Sequence, residues 1–127
     1  MSLSSTGKCP PVPEFLCAVC YDEKDCDRGD WSPLDIPIFP KAYKLKGGPK
    51  NGIESCSVRK GCSLTLVDTD KGSFRNAGNL TVSASGADKH FNLDGNKDKK
   101  FSSMSNDAEE VICSCGITQN PVFAFGL

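Results

Sequence analysis

Eight cysteines are the residues of this 127-residue chain with the most chemistry to offer. A high, even cysteine count in a small domain rich in glycine and proline favours an oxidising compartment and a disulfide framework. Eight cysteines can pair in roughly a hundred ways, so the sequence leaves the connectivity open. The alternative is a reduced cytosolic protein with buried free thiols. The candidates for disulfide bonding are Cys9, Cys17, Cys20, Cys26, Cys56, Cys62, Cys113 and Cys115.

Catalysis and zinc binding find little support among these residues. His90 is the single histidine, and no motif places a base beside a serine or cysteine nucleophile. A structural zinc site needs two paired-thiolate knuckles, and Cys17 and Cys20 have the spacing of one. Cys113 and Cys115 have strand spacing instead, which puts both side chains on the same face. The sequence therefore predicts a protein that is not an enzyme, with His90 on its surface and disulfides rather than zinc.

Two short motifs would matter on an extracellular protein. Arg28, Gly29 and Asp30 spell a tripeptide that cell-surface integrins recognise, and they lie between predicted strands, where loops protrude. Asn79 begins a glycosylation sequon with Leu80 and Thr81. The motifs predict a cell-adhesion loop and a glycosylation site; the alternative is that these triplets are ordinary turn and surface residues.

Charge and length exclude some classes of partner. The 15 basic and 16 acidic residues nearly cancel, so no overall field favours nucleic acid or an anionic membrane. No apolar run approaches the ~20 residues that span a bilayer, which predicts no transmembrane segment. We expect one extracellular domain at residues 15–116, with an N-terminal tail at 1–14 and a C-terminal extension at 117–127.

Short β-strands are the elements that must position these side chains. Apolar residues alternate in short runs bounded by Gly, Pro, Asn and Asp, which favours an antiparallel sandwich or barrel. Pro37 and Pro40 interrupt two runs, which we expect to be edge or irregular strands. One helix is predicted at 105–110, with Ser105 as its N-cap. The predicted strands cover residues 15–21, 36–39, 42–45, 53–58, 63–67, 79–84, 90–93 and 110–115.

A weak internal repeat divides these strands into two units. Residues 20–22 (Cys-Tyr-Asp) match residues 66–68 (Leu-Val-Asp), 46 positions later. Residues 54–58 are similar to residues 111–115, at a spacing of 57. Two copies of a four-strand unit in tandem predict a duplicated Greek key.

Residues 18–29 resemble the opening hairpin of a βγ-crystallin Greek key. In that family an aromatic residue is followed by a second aromatic and then a glycine; Tyr21 and Gly29 match the first and last. Cys26 stands in the place of the second aromatic, Gly29 falls one place late, and Trp31 is expected to start the next strand. Residues 50–66 resemble the passage from one motif to the next. The resemblance spans residues 15–116 and implies two four-stranded Greek keys packed as a β-sandwich, here supported by disulfides.

The resemblance also implies calcium as a ligand. The family's signature is two Asn or Asp residues, two variable residues and two hydroxyl residues before the last strand of each motif, and the two loops share ligands. Residues 50–55 and 106–111 match it in part. Hard cations prefer such oxygen ligands, although the same residues are also typical of solvated turns. The calcium ligands predicted in this way are Asn51, Glu54, Asn106, Asp107 and Glu110, completed by backbone carbonyls near Glu23 and Asp70.

By resemblance, the expected function is that of a secreted, non-enzymatic structural domain that binds calcium weakly. One alternative is a secreted cysteine-rich effector of the toxin or proteinase-inhibitor type, acting through an exposed loop. The other is an adhesion ligand that presents residues 28–30 to a protein partner at the cell surface.

Overall fold

Two antiparallel four-stranded sheets with a shared apolar core make up the fold. The structure is a computed structural model, and it describes residues 9–69 and 78–116. The strands are β1 (Ala18–Tyr21), β2 (Leu34–Ile36), β3 (Phe39–Lys44), β4 (Ser55–Val58), β5 (Cys62–Asp68), β6 (Gly78–Ser83), β7 (Lys89–Asn92) and β8 (Glu110–Cys115). The first sheet has the order β2-β1-β4-β7 and the second β3-β8-β5-β6. The predicted all-β fold of two four-stranded motifs is confirmed.

The two Greek keys exchange strands. The first motif contains β1–β4, but β3 pairs with β8 in the second sheet. The second motif contains β5–β8, but β7 pairs with β4 in the first sheet. Each motif therefore completes the other's sheet, and neither can bury its apolar face alone.

The register of the strands corrects the repeat that the sequence suggested. Tyr21 lies opposite Ser55, and Val67 lies opposite Glu110. Val67 follows Tyr21 at the predicted spacing of 46, but Glu110 follows Ser55 at a spacing of 55 rather than 57. The predicted second spacing is wrong because it aligned the two segments by their cysteines. Cys56 lies opposite another cysteine of β1, whereas Cys113 lies opposite a leucine of β5.

The core lies between the two sheets, and a second apolar cluster covers the outer face of the first sheet. Alternate residues of β5 are buried, as expected for a strand with one face on the core. In β1 all four residues are buried, because Val12 and Leu16 cover Val19 and Tyr21 on the outer face. The backbone N–H of Val12 also donates to Asp88 Oδ2 at 2.9 Å. The described part of the predicted N-terminal tail is therefore packed on the sandwich.

Two local predictions are wrong, and one is confirmed. The helix within the described residues, α1, is Lys99–Ser102 and is capped by the Asp98 side chain. Residues 105–110 form turns and the start of β8, because Asn106 has φ 61°, which ends any helical run. Trp31 does not start a strand; it packs half-buried against the core, and β2 begins at Leu34. The strand β2, which ends just before Pro37, and the strand β3, which contains Pro40, are edge strands, as predicted.

Four disulfides use all eight cysteines, which confirms the predicted framework. Cys20–Cys56 and Cys62–Cys115 each join residues directly opposite on neighbouring strands. Cys17–Cys113 joins the residue just before β1 to β8 and so links the two sheets. Cys9–Cys26 ties the N-terminal segment to the loop between β1 and β2. In the described residues, no helix has the length and apolar character needed to cross a membrane.

Candidate functional site

The loop before β4 (residues 45–54) and the loop before β8 (residues 103–109) are joined by a reciprocal pair of hydrogen bonds, and together they are called the double loop. The Asn51 N–H donates to the Ala108 carbonyl at 2.9 Å, and the Asn106 N–H donates to the Ile53 carbonyl at 3.0 Å. Both asparagines have left-handed backbones, with φ of 59° and 61°, which asparagine tolerates better than most residues. Asn106 follows Asn51 by 55 positions, which is also the spacing between Ser55 of β4 and Glu110 of β8. The two loops are therefore related in the same way as the strands that follow them.

The first half of the double loop is the part around Glu54, and it brings together three of the predicted calcium ligands. The Asn106 side-chain amide donates to Glu54 Oε2 at 3.2 Å across the boundary between the motifs. The Glu54 N–H donates to the Tyr21 carbonyl, and the next residue, Ser55, donates through Oγ to the Glu23 carbonyl at 2.6 Å. Glu23, Glu54 and Asn106 therefore meet where the β1–β2 hairpin touches the two loops.

Negative charge accumulates in this first half. The pKa of Glu23 is raised, first by repulsion from the Glu54 carboxylate, then by desolvation and by further acidic residues of the same hairpin. Those residues are Asp22, Asp27 and Asp30. A set of carboxylates, a side-chain amide and a backbone carbonyl is the donor set that calcium prefers. The residues present in the first half fit that ion.

In the second half of the double loop, the part around Glu109, this glutamate accepts its hydrogen bonds from donors of the protein itself. Glu109 Oε1 accepts hydrogen bonds from the Thr69 N–H at 2.8 Å and from the Thr69 hydroxyl at 2.5 Å. The pKa of Glu109 is lowered, mainly by the Thr69 hydroxyl; desolvation opposes this, and the Thr69 N–H, the Lys50 charge and Asn51 lower it further by smaller amounts. Because Glu109 is already paired and lies near a cation, the second half fits calcium less well than the first.

The other predicted ligands take different places. Asn51 interacts with the Glu109 carboxylate rather than with Glu54. Asp107 lies in the turn before β8, and Glu110 is the first residue of that strand, opposite Val67. Asp70 lies outside the described residues.

The sequence reasoning missed Glu109 and Thr69. The signal that would have identified Glu109 is the spacing of the two loops, which aligns Glu109 with Glu54 as it aligns Glu110 with Ser55. Residues 105–110, rather than 106–111, are the structural equivalent of residues 50–55. Thr69 follows Glu23 at the spacing that relates Val67 to Tyr21, and the same alignment would have placed it beside Glu109.

The two motifs that would matter on an extracellular protein lie on the surface. Arg28, Gly29 and Asp30 are exposed in the loop between β1 and β2. Gly29 has φ 56°, and a side chain there would collide with Asp22, whose carboxylate accepts the Asp30 N–H at 2.6 Å. Asn79 is exposed on the edge strand β6. Exposure is what adhesion and glycosylation require, and both stay predictions.

A second polar cluster, which was not predicted, consists of Ser57 and His90 next to Cys26 of the β1–β2 loop. His90 is half-buried rather than on the surface, and its Nδ1 lies 2.6 Å from the Ser57 hydroxyl. Ser57 is completely buried and lies 3.5 Å from the sulfur of Cys26. It also hydrogen-bonds Tyr21, whose pKa is raised chiefly by burial. A serine with no exposed surface is poorly placed to attack a bound substrate.

Comparison with known proteins found similarity in structure only. No protein-family model matches the sequence, and the search of curated proteins found no match. A domain solved in work on the evolution of the eye lens βγ-crystallin domain fold has a TM-score of 0.59 at 8% identity, over 85% of this chain and 94% of that one. A βγ-crystallin domain from Clostridium beijerinckii has 0.51 at 11%, over 77% and 97%. Hahellin, a βγ-crystallin, has 0.50 at 16%, over 83% and 98%. At these identities the likeness is one of fold.

Proposed function

We propose that this chain, which has the βγ-crystallin fold, is a secreted, non-enzymatic structural domain stabilised by disulfides and by one calcium ion. Glu23, Glu54 and Asn106 would hold that ion, in the first half of the double loop. Calcium would supply positive charge between carboxylates that otherwise repel each other. The protein's own residues place the oxygen donors and fix the two loops in contact.

One observation supports this proposal above the others. The reciprocal hydrogen bonds of Asn51 and Asn106 relate the two loops, but their glutamates differ: Glu109 accepts two hydrogen bonds from Thr69, whereas Glu54 accepts one, from the Asn106 amide. Glu54, in the equivalent position, lies beside Glu23 and raises its pKa by repulsion. A cation would relieve this repulsion, and binding the folded state alone would stabilise it.

The remaining parts of the proposal depend on broader arguments. Four disulfides are typical of oxidising compartments and are rare in reducing ones, which supports secretion. Ser57, which lies beside His90, is completely buried, and all eight cysteines are paired, so neither an accessible Ser57–His90 pair nor a free thiol is present among the described residues to support catalysis. The alternatives of a secreted effector and of an adhesion ligand acting through residues 28–30 stay predictions.

Calcium titration tests the proposal, with a variant at each equivalent position. Extracellular calcium modules have Kd values of roughly 10⁻⁴–10⁻³ M. At ~5 mM calcium, such a site would stabilise the folded state by ~1–2 kcal/mol. For a domain of this size that is a rise in Tm of about 4–8 °C over the protein in EGTA. Isothermal titration calorimetry on the same samples should give about one ion per chain.

Glu54→Gln should remove the heat of binding and the rise in Tm, because it deletes a ligand charge without changing the side chain's shape. Glu109→Gln is the matched control at the equivalent position, and it should keep both. No heat and no change in Tm for the unmodified protein would refute the calcium proposal. Equal loss in the two variants would refute the assignment to the first half.

A further inference from the structure

The disulfide Cys9–Cys26 lies outside the core between the sheets, to which the cysteines of the other three disulfides belong or against which they pack. Cys17, Cys20, Cys56 and Cys113 have exposed fractions of 0%, so two of the other disulfides are completely buried; in the third, Cys62 is buried and Cys115 is half-buried. Cys9 lies at the boundary of burial, with 9% exposed, and Cys26 is half-buried beside the small outer cluster. Accessible disulfides are the ones that exchange with external thiols most readily.

Cys9–Cys26 also differs in what it joins. Each of the other three disulfides has at least one end within a strand and connects strands of the sandwich. Cys9–Cys26 connects two segments outside the strands, namely the N-terminal segment and the β1–β2 loop. Opening it therefore breaks no connection between strands, and the sandwich retains its three other cross-links.

A histidine lies next to this disulfide. The sulfurs of Cys9 and Cys26 and one ring nitrogen of His90 all lie within 4.8 Å of one another. Two cysteine thiolates and an imidazole are a ligand set for zinc, in which neighbouring ligand atoms are about 3–4 Å apart. Small movements of the side chains, once the S–S bond has opened, would bring the three atoms to that spacing.

Two open cavities that share Lys24 and Asp25 border the cluster. One open cavity of about 480 Å³ is lined by His90, Asp25 and Lys24, among others. A second of about 490 Å³ is lined by Cys26, Asp25 and Asp27, among others. A reductant and a metal ion can therefore approach the sulfurs and the imidazole without opening the core, and water can take a fourth coordination position.

We propose that Cys9, Cys26 and His90 form a zinc site that reduction uncovers. A dithiol reductant transfers two electrons and two protons to the disulfide; its own sulfurs become a disulfide, and the two cysteines become thiols. Zinc then binds both sulfurs, which release two protons to solvent, and it binds the unprotonated ring nitrogen of His90. A small-molecule disulfide can then accept two electrons from the two thiolates and two protons from solvent, becoming two thiols; the Cys9–Cys26 bond forms again and the ion is released, so that one set of residues is either a cross-link or a metal site.

A second sulfur cluster in the same molecule provides a contrast. Cys17, Cys62 and Cys115 also have sulfurs within 4.8 Å of one another. They belong to two disulfides that tie the strands of the sandwich together, and no histidine belongs to the group. Cys17 and Cys62 are buried in the core, and Cys115 is half-buried. Reduction there would break the sandwich before it created a site, so this cluster is the internal control.

The first experiment is graded reduction of the intact protein by a dithiol, followed by alkylation of new thiols and mass spectrometry. We expect Cys9 and Cys26 to be alkylated first and together, while circular dichroism retains the signal of the folded sandwich. Earlier opening of another disulfide, or loss of the folded signal at the first reduction step, would overturn the proposal.

The second experiment adds cobalt(II), a spectroscopic probe for zinc, to the partly reduced protein. We expect about one ion per chain with a thiolate-to-cobalt charge-transfer band, displaced by zinc. His90→Ala should weaken binding by roughly tenfold or more, since one of three protein ligands is lost. The Cys62→Ala/Cys115→Ala variant is the control and should keep the band.

An unchanged cobalt spectrum in His90→Ala would overturn the assignment of His90, and no binding by the partly reduced protein would overturn the site. The Cys9→Ala/Cys26→Ala variant should bind no cobalt. If that variant fails to fold, alkylation and the cobalt titration of the unmodified sequence still decide the question, because neither depends on a substitution.

Discussion

Three of the four disulfides close a single small ring of cross-links, so their contributions to stability should depend on one another. The ring runs through Cys17–Cys113, Cys62–Cys115 and Cys20–Cys56. Its chain segments are short and run from position 17 to 20, from 56 to 62 and from 113 to 115. When any one of the three disulfides is removed, the other two still hold its ends close together through these same segments. The sequence separation of its two cysteines then matters little.

The size of this effect follows from the entropy of loop closure. Treated independently, the separations of 96 residues for Cys17–Cys113 and 36 for Cys20–Cys56 would contribute ~4.7 and ~3.8 kcal/mol. With the ring intact, the effective loop is the same for both, roughly 11 residues, and each disulfide contributes ~2.8 kcal/mol. Removing both should cost ~1 kcal/mol more in free energy of unfolding than the sum of the single losses. Once the first disulfide is absent the ring is open, so the second one closes a long chain segment, and its removal costs correspondingly more.

The test compares Cys17→Ala/Cys113→Ala with Cys20→Ala/Cys56→Ala and with the variant that combines both changes. All four cysteines are completely buried, so the loss of packing is similar for the two pairs and cancels in the comparison. Urea unfolding gives the free energy of unfolding for each variant. We expect equal losses within ~0.5 kcal/mol for the single removals. A loss larger by ~0.9 kcal/mol for the Cys17–Cys113 pair, with additive losses on combination, would refute the ring.

Two further predictions concern the double loop. A Cβ on residue 52 would collide with the Gly48 carbonyl oxygen, so Gly52→Ala should lower the free energy of unfolding in urea by ~1–3 kcal/mol. Gly86→Ala is the control: a Cβ there meets nothing, and its free energy of unfolding should stay within ~0.5 kcal/mol of the parent. Equal effects of the two substitutions would contradict the collision as the cause. The pKa of Glu109 is lowered from its ordinary value of 4.5, so its contribution to stability is fully present above that value and is lost as the pH falls through the lower folded pKa. Glu109→Gln should therefore reduce the loss of Tm on acidification, and an unchanged acid limb of the Tm profile would count against the Thr69 pairing.

Local patterns in the sequence determined the class of fold. Alternating apolar residues predict strands wherever one face of a strand is buried, and the eight strands lie where this alternation placed them, to within a few residues. Pro37 and Pro40 predicted edge strands because proline lacks the N–H that a central strand needs. Tyr21 and Gly29 indicated the βγ-crystallin hairpin, since a folded corner needs a glycine at a left-handed position.

Contacts between distant residues were decided only by the tertiary structure. The register between β5 and β8 set the spacing of the repeat, and it made Glu109 rather than Glu110 the equivalent of Glu54 in the double loop. The disulfide partners and the half-buried position of His90 depend in the same way on which strands become neighbours. The sequence carries the chemistry of each residue, but strand pairing brings together residues that are tens of positions apart, and no local pattern records that pairing.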